Sequence, residues 1–252
     1  VTLDGAVTTN IGTDVFKGCA GITELKLSNL STIPSIFAEC TGLKSLDLKN
    51  VSAIADKAFE NCTGLTELKL EGVTSIGASA FAGCTGLTGE VDLSKVTTLG
   101  ASAFENCAGL TGKVDLSQVT TLNESTFAGC SGLTSFVLNS SVRSIPDGFF
   151  KNAAGLKELA LDNITSIGTS AFENCTGLTG ALVFADKAVV GNNAFKGCAG
   201  FTGDLDLSKV TVGEGTFENC TGLTGKLTLN AIATEVPARA FAGAGFTGEL
   251  VI

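Results

Sequence analysis

The sequence predicts an α/β solenoid: a coil of about eleven repeats with a parallel β-sheet on one face and short helical turns on the other. The main evidence is the signature Phe-x-x-Cys-x-Gly-Leu, which returns every 21 to 24 residues along the 252-residue chain. A fixed period of that size is typical of stacked repeats, none of which can bury its apolar face alone. The phenylalanines of this register are Phe16, Phe37, Phe59, Phe81, Phe104, Phe127, Phe150, Phe172, Phe195, Phe217 and Phe241.

The first element of each coil is a predicted strand. In the third coil, Leu65-x-x-Leu68-x-Leu70 ends in apolar residues at a period of two, which favours a short strand with one buried face. The same pattern predicts a strand at Leu156-x-x-Leu159-x-Leu161. Several coils add a glycine at the strand entrance, for example Gly89 and Gly112, where we expect a bulge or local turn.

An extended run follows each strand, as at residues 73–76, and leads into the Ala-Phe-x-x-Cys segment. That segment is long enough for one helical turn. The residue before the cysteine is usually Asn or Gly, the two residue types that best tolerate a positive φ. We therefore expect a left-handed residue there, closing a short helix. These positions are Asn61, Asn106, Asn152, Asn174 and Asn219, and Gly18, Gly83, Gly129, Gly197 and Gly243.

Taken together, Leu-x-x-Leu-x-Leu followed by Val-Thr-x-Ile-x-x-x-Ala-Phe-x-x-Cys resembles the BspA-like, or Treponema-type, class of leucine-rich repeats. The match extends over nearly the whole chain. The resemblance implies a right-handed leucine-rich repeat coil, here a single solenoid over residues 1–252. It also implies a bacterial or protozoan surface protein of a kind commonly linked to adhesion or host contact.

Composition narrows the possible partners and locations. The formal charge of −9 argues against binding to a nucleic-acid backbone, and a stretch of about 18 apolar residues that could insert into a membrane is absent from the sequence. Neither end carries the polar cap that terminal repeats normally have. We therefore expect an excised part of a longer cell-surface or secreted protein, with any signal peptide or anchor outside this sequence. Uncapped ends also leave end-to-end self-association open.

The nine cysteines all occupy one register of the repeat, which Ala153 and Ala244 occupy in two further coils. A position that alanine also fills is a small buried packing site, so we interpret the cysteines as buried free thiols rather than disulfides. The sequence has no His and no Cys-x-x-Cys pair, which disfavours zinc and the usual catalytic constellations. We expect no cofactor.

Asp92 and Asp115 occupy equivalent outward positions of neighbouring coils and form a candidate carboxylate pair. Such a pair can bind a cation or shift a pKa. The interpretation we favour is that Lys113, on the same face, balances their charge. An enzymatic role would require strongly perturbed pKa values at these carboxylates.

Outward strand residues are the best candidates for partner binding, because solenoids commonly bind through the exposed sheet face. These residues are charged in the early coils and lose their charge further along the chain. A neutral centre with a charged border resembles a protein interface. The strip and its border are Asp115, Val137, Ala160, Ala181, Val183 and Asp206.

Two coils depart from the repeat pattern. One supplies Arg143 and an additional phenylalanine, Phe149; the other, at residues 184–193, loses the usual Val-Thr-x-Ile form. Arg and aromatic residues often anchor interfaces, so we predict a recognition edge at Arg143 and Phe149.

These features predict a non-enzymatic adhesion or recognition module that binds a host extracellular protein or glycan through its sheet face. The alternative is a structural spacer that projects another domain from the cell surface.

Overall fold

The computed structural model describes residues 2–4, 11–28, 30–230 and 235–252. The chain forms two compact units, Val1–Asn139 and Ser140–Ile252, and each is described by itself. In both units the strands pair in parallel between successive coils, and the chain has about ten turns. The predicted parallel-strand solenoid is confirmed. The single solenoid over residues 1–252 stays a prediction.

Two series of strands alternate along the first unit. The apolar Leu-x-Leu segments form the pairs β1-β2, β4-β6 and β9-β10, and the two-residue strands form a sheet in the order β3-β5-β7-β8. The strands are β1 (Thr2–Asp4), β2 (Lys26–Ser28), β3 (Thr32–Ile33), β4 (Ser45–Asp47), β5 (Ala53–Ile54), β6 (Glu67–Lys69), β7 (Ser75–Ile76), β8 (Thr98–Leu99), β9 (Gly112–Leu116) and β10 (Leu133–Leu138).

The second unit repeats this arrangement. The strands that precede its turns pair in the order β11-β12-β13-β15, and its Leu-x-Leu strands pair in the order β14-β16-β17. The strands are β11 (Ser144–Ile145), β12 (Ser166–Ile167), β13 (Val189–Val190), β14 (Leu205–Asp206), β15 (Thr211–Val212), β16 (Leu227–Thr228) and β17 (Leu250–Val251).

The pairing register advances by one coil at each step, so that equivalent residues lie side by side. Leu46 pairs with Leu68 in one series, and Ile54 pairs with Ile76 in the other. The extended run predicted at residues 73–76 therefore ends in a true strand, β7. By contrast, residues 156–161 form no strand, and the strand predicted from Leu156, Leu159 and Leu161 is wrong.

The predicted short helices are also wrong: the described residues contain no helix, and the Ala-Phe-x-x-Cys segments are turns. These segments are not helical because of the carbonyls to which their backbone amides donate. A helix needs every amide to bond within its own segment, but here alternate amides donate to carbonyls of the next coil. In the third coil these bonds are Lys57 N–H to Ala78 O at 2.8 Å, Phe59 N–H to Ala80 O at 2.9 Å and Asn61 N–H to Ala82 O at 2.7 Å.

Left-handed residues also interrupt the turn. Lys57 and Asn61, four residues apart, have φ values of 58° and 57°, which no α-helix accommodates. The left-handed conformation predicted before each cysteine is confirmed. At these positions φ is 57–60° for Asn61, Asn106, Asn152, Asn174 and Asn219 and 70–75° for Gly18, Gly83, Gly129, Gly197 and Gly243.

Glycines at the strand entrances confirm the predicted irregularity. Gly89 and Gly112 have φ values of 80° and 75°. Opposite Gly112, the β9-β10 register shifts between Leu133 and Ser135, as a bulge requires.

The core of each unit is a ladder of stacked phenylalanine rings, with successive ring centroids 5.4 to 5.8 Å apart. Beside the rings, the eight cysteines from Cys40 onward are buried, as predicted, whereas Cys19 is exposed. Each buried thiol donates to a phenylalanine carbonyl of the preceding coil, as Cys62 does to Phe37 O at 3.1 Å. Burial raises the pKa of Cys62 to about 12, so the thiol remains protonated.

Candidate functional site

The outward side chains of the Leu-x-Leu strands face solvent, as the alternation predicts. In β14, for example, Leu205 is buried and Asp206 is exposed. The first unit's outward face is charged around Asp47 and Lys69, and Lys69 Nζ lies 3.1 Å from Glu67 Oε1. The outward face therefore differs in character from coil to coil.

Several outward aspartates cap the turn that follows them in the chain. Asp92 Oδ1 accepts a hydrogen bond from the Ser94 amide, and Asp115 Oδ1 accepts one from the Ser117 amide, both at 2.9 Å. Hydrogen bonds from Ser94 lower the pKa of Asp92, and those from Ser117 lower the pKa of Asp115 more than Lys113 does. Both carboxylates are thus ionised at neutral pH and engaged in local structure.

A groove of about 260 Å³ in the second unit brings three of the predicted residues together: Ala181, Val183 and Asp206. We call it the sheet groove; the remaining residues that line it are Leu182, Phe184, Ala185, Asp186, Asp204, Ser208, Lys209 and Val210. Val183 is the most solvent-exposed of its large apolar residues, with 65% of its surface accessible. A large apolar side chain at that exposure is available for contact with a partner.

The sheet groove lies where the backbone ladder between two coils is open. The Thr202 amide bonds Gly180 O at 2.9 Å before the opening, and the Lys187 amide bonds Lys209 O at 3.0 Å after it. Between these two bonds, the described structure has no backbone hydrogen bond joining residues 181–186 to residues 203–208.

On its other side, β14 is fully paired. Leu205 N–H donates to Lys226 O and Leu207 N–H donates to Thr228 O, both at 2.8 Å. Applying the same register to the open side would join the Leu182 and Phe184 amides to the carbonyls of Asp204 and Asp206. Those four main-chain groups therefore border the sheet groove.

Charged side chains form the margin of the sheet groove. Lys209 Nζ lies 2.8 Å from Asp186 Oδ2, and this pairing raises the pKa of Lys209. Asp204 Oδ1 accepts the Lys226 amide at 2.7 Å, and Asp206 Oδ1 accepts the Ser208 amide at 2.9 Å. Three carboxylates against one ammonium give the margin a negative charge.

The back of the sheet groove is anchored by the aromatic ladder. The Phe184 ring meets the rings of Phe195 and Phe217 edge-on, with centroids 5.8 and 6.3 Å away. The segment 184–193, which departs from the repeat pattern, thus contributes Phe184 and Asp186 to the groove. That departure is the sequence signal for these two residues, whereas nothing in the repeat pattern pointed to Asp204 or Lys209.

The other predicted strip residues lie elsewhere. In the first unit, Val137 of β10 pairs directly with Asp115 of β9, and Val137 is 36% exposed. In the second unit, Ala160 is exposed within the segment that forms no strand.

Of the two residues of the predicted recognition edge, one is exposed and the other is buried. Arg143 is exposed, and its Nη1 donates to Ser140 O at 2.7 Å and to Val142 O at 2.9 Å. Phe149 is completely buried, so its placement at a recognition edge is wrong. Phe149 occupies the position that Ala58 fills in the third coil, which is also completely buried, and its ring packs edge-on against Phe150 at 4.7 Å.

A larger cavity of about 470 Å³ in the same unit is lined mainly by apolar residues, including Leu207, Val210 and Phe241. Its lining includes Asn230 and Glu235, at the limits of the described ranges, so the sheet groove is the candidate site. Across the described ranges, no group of three or more His, Cys, Asp or Glu could hold a metal ion. The same residues include no helix long and apolar enough to cross a membrane.

The sequence matches the profile of a known family, described as the BspA type leucine rich repeat region. Six copies of that profile match, over residues 2–111, 53–179 and 188–247. No curated protein sequence matches the chain.

Three crystal structures are similar in fold. A leucine rich cell surface protein from Faecalibacterium prausnitzii A2-165 gives a TM-score of 0.56 at 21% identity, covering 95% of this chain and 82% of that one. The leucine rich repeat protein of T. pallidum gives 0.49 at 24% identity, covering 71% of each chain. A leucine-rich repeat protein from Bacteroides ovatus ATCC 8483 gives 0.45 at 17% identity, covering 96% and 87%.

Proposed function

The chain belongs to the family of BspA-type leucine-rich repeat proteins, and on that premise we propose that it is a non-enzymatic recognition module of a bacterial cell surface. It binds a protein partner through the sheet groove. The observation that carries this proposal is Val183, a large apolar side chain 65% exposed in a groove with a charged margin. The surface location is supported by the similar Faecalibacterium fold, which belongs to a cell surface protein.

Recognition on this scaffold works by rigid display. Stacked rings, buried thiols and amide bonds between coils hold the strands from within, as in the ladder through Phe172, Phe195 and Phe217. Because the outer side chains are already positioned, binding orders little additional structure. A modest groove can therefore contribute usable affinity.

A structural spacer is the second candidate. Its support comes from Asp92, Asp115 and Asp206, whose hydrogen bonds to following amides account for these outward charges without any partner. The same reasoning does not account for Val183, because an exposed valine stabilises no turn. The recognition module is therefore the function that the outer face supports better.

The test is binding of the chain to a panel of extracellular-matrix proteins and oligosaccharides, comparing the variants Val183→Glu and Val189→Glu. Val189 is a matched control: it is 53% exposed in the same unit but lies on β13, in the other series of strands. We expect Val183→Glu to weaken protein binding at least about tenfold, because it buries a charge in the interface. Val189→Glu should bind as the unmodified chain does.

Circular dichroism is the control that tests whether both variants fold. Equal loss, or no loss, in the two variants removes the sheet groove as the binding site. If the unmodified chain binds nothing in the panel, the spacer becomes the supported function.

A further inference from the structure

We infer that the sheet groove binds an extended peptide segment of its protein partner in which aliphatic residues alternate with Lys or Arg. This inference rests on the proposed function and specifies the chemistry of the partner. Three features of the second unit carry it: the open backbone ladder, the small apolar floor and the negative margin.

The open ladder favours an extended main chain. The amides of Leu182 and Phe184 and the carbonyls of Asp204 and Asp206 border the groove without backbone partners among the described residues. An incoming extended segment pairs with main-chain donors and acceptors that have no partner of their own. A peptide lying along this opening would give these groups hydrogen-bond partners.

The floor of the groove sets the size of the side chains that fit. Ala181 and Val183 are both exposed there, and the Phe184 ring closes the back. An extended segment directs every second side chain to the same face. Aliphatic residues at alternate positions would thus contact Ala181 and Val183, within a volume of about 260 Å³.

The negative margin of the groove favours positively charged side chains at the remaining positions of the peptide. Asp186 is paired with Lys209, which also attracts Asp206, so the lining holds three carboxylates against this one ammonium. Their Oδ1 atoms are held by the Lys226 and Ser208 amides, so both carboxylates are positioned in advance. The formal charge of −9 on the whole chain adds long-range attraction for a cationic segment.

A carbohydrate fits these features less well. The chain has no Trp and no Tyr, and Phe184 meets its neighbours edge-on at the back of the groove. Sulfated or otherwise anionic glycans would meet Asp204 and Asp206 at the margin. The peptide is the occupant that these observations favour.

The experiment titrates the full chain with the fluorescent peptide Ac-Lys-Val-Lys-Val-Lys-Val-Lys-NH2 and with counterparts in which Glu replaces Lys or Ser replaces Val. The test variant is Asp204→Asn with Asp206→Asn, and the control is Asp47→Asn with Asp92→Asn. All four aspartates accept an amide through Oδ1, so Asn retains the hydrogen bond and removes only the charge.

We expect the Lys-Val peptide to bind, and its affinity to fall about tenfold in the test variant and with added salt, while the control stays unchanged. The Glu-Val and Lys-Ser peptides should bind more weakly. Equal binding of the Lys-Val and Glu-Val peptides, or an equal loss in the control variant, overturns the inference.

Two outcomes separate this inference from the proposed function. If panel proteins bind in a manner sensitive to Val183→Glu but the Lys-Val peptide does not bind, the inference fails and the recognition module stands. If a neutral oligosaccharide binds and Val183→Glu abolishes it, the groove is a carbohydrate site and the inference also fails.

Discussion

Replacing Gly129 with alanine is expected to destabilise the first unit by about 2–3 kcal/mol, from two separate costs. Gly129 has a φ of 74°, and a left-handed alanine costs about 1–2 kcal/mol. A Cβ built on Gly129 would also overlap Oδ1 of Asn106 in the preceding coil. Moving that carboxamide off its preferred rotamer adds about 1 kcal/mol.

Two further substitutions separate the cost of the left-handed φ from the cost of the overlap with Asn106. Gly89 also has a positive φ, but a Cβ there would meet no atom within 4 Å, so Gly89→Ala should show the φ cost alone. Gly129→Asn should cost less than about 1 kcal/mol, because Asn tolerates a left-handed φ and its Nδ2 can donate to Asn106 Oδ1, which offsets the cost of moving that carboxamide. The chain already has consecutive asparagines in this register, where Asn174 Nδ2 donates to Asn152 Oδ1 at 3.0 Å.

Urea unfolding followed by circular dichroism measures the three variants against the unmodified chain. The expected order of destabilisation is Gly129→Ala, then Gly89→Ala, then Gly129→Asn. The reasoning is refuted if Gly129→Ala is no worse than Gly89→Ala, because the Asn106 contact would then cost nothing. It is equally refuted if Gly129→Asn is the most destabilising of the three.

Further predictions concern the core and the buried carboxylate of Glu218, which pairs with Arg239 and Lys196. In the native protein, a thiol reagent should modify Cys19 rapidly and the eight buried cysteines only after denaturation; rapid modification of several thiols would contradict the burial. Arg239 and Lys196 hold the pKa of Glu218 at about 2, below its ordinary 4.5, so this stabilisation is complete above pH 4.5 and is lost as pH falls towards 2. Glu218→Gln should therefore flatten the decline of Tm over that range, and an unchanged decline would rule out the pair as its cause. Phe104→Ala should lower the free energy of unfolding by about 3–5 kcal/mol, measured by urea titration, and a loss below about 1 kcal/mol would show that the ring ladder contributes little.

The repeat pattern predicted the features that depend on periodicity. Phe104, Leu65 and Cys62 are buried because each lies at an inward position that recurs from coil to coil. Asn61 is left-handed because its residue type and its place before the cysteine indicate a positive φ. Val183 is exposed because it follows an inward leucine on an alternating segment.

The wrong predictions concern residues whose structure is set by contacts with neighbouring coils rather than by the local sequence pattern. The prediction that Phe149 lies at an edge rests on the frequency of phenylalanine at interfaces, but the alanines at the equivalent position of other coils are buried. The segment from Leu156 to Leu161 has the apolar spacing of a strand, yet it lacks the neighbouring ladder that makes one.

The sequence by itself thus determined the period of the coil, the inward ladders of Phe, Leu and Cys, and the side on which each strand residue lies. These properties follow from residue types at fixed spacings. Only the tertiary structure decided that Lys57, Phe59 and Asn61 donate to the next coil and so form a turn instead of a helix. It likewise decided that the ladder beside Val183 stays open. Both outcomes depend on which carbonyl of an adjacent coil comes within reach of an amide, and that distance is set by stacking rather than by local sequence.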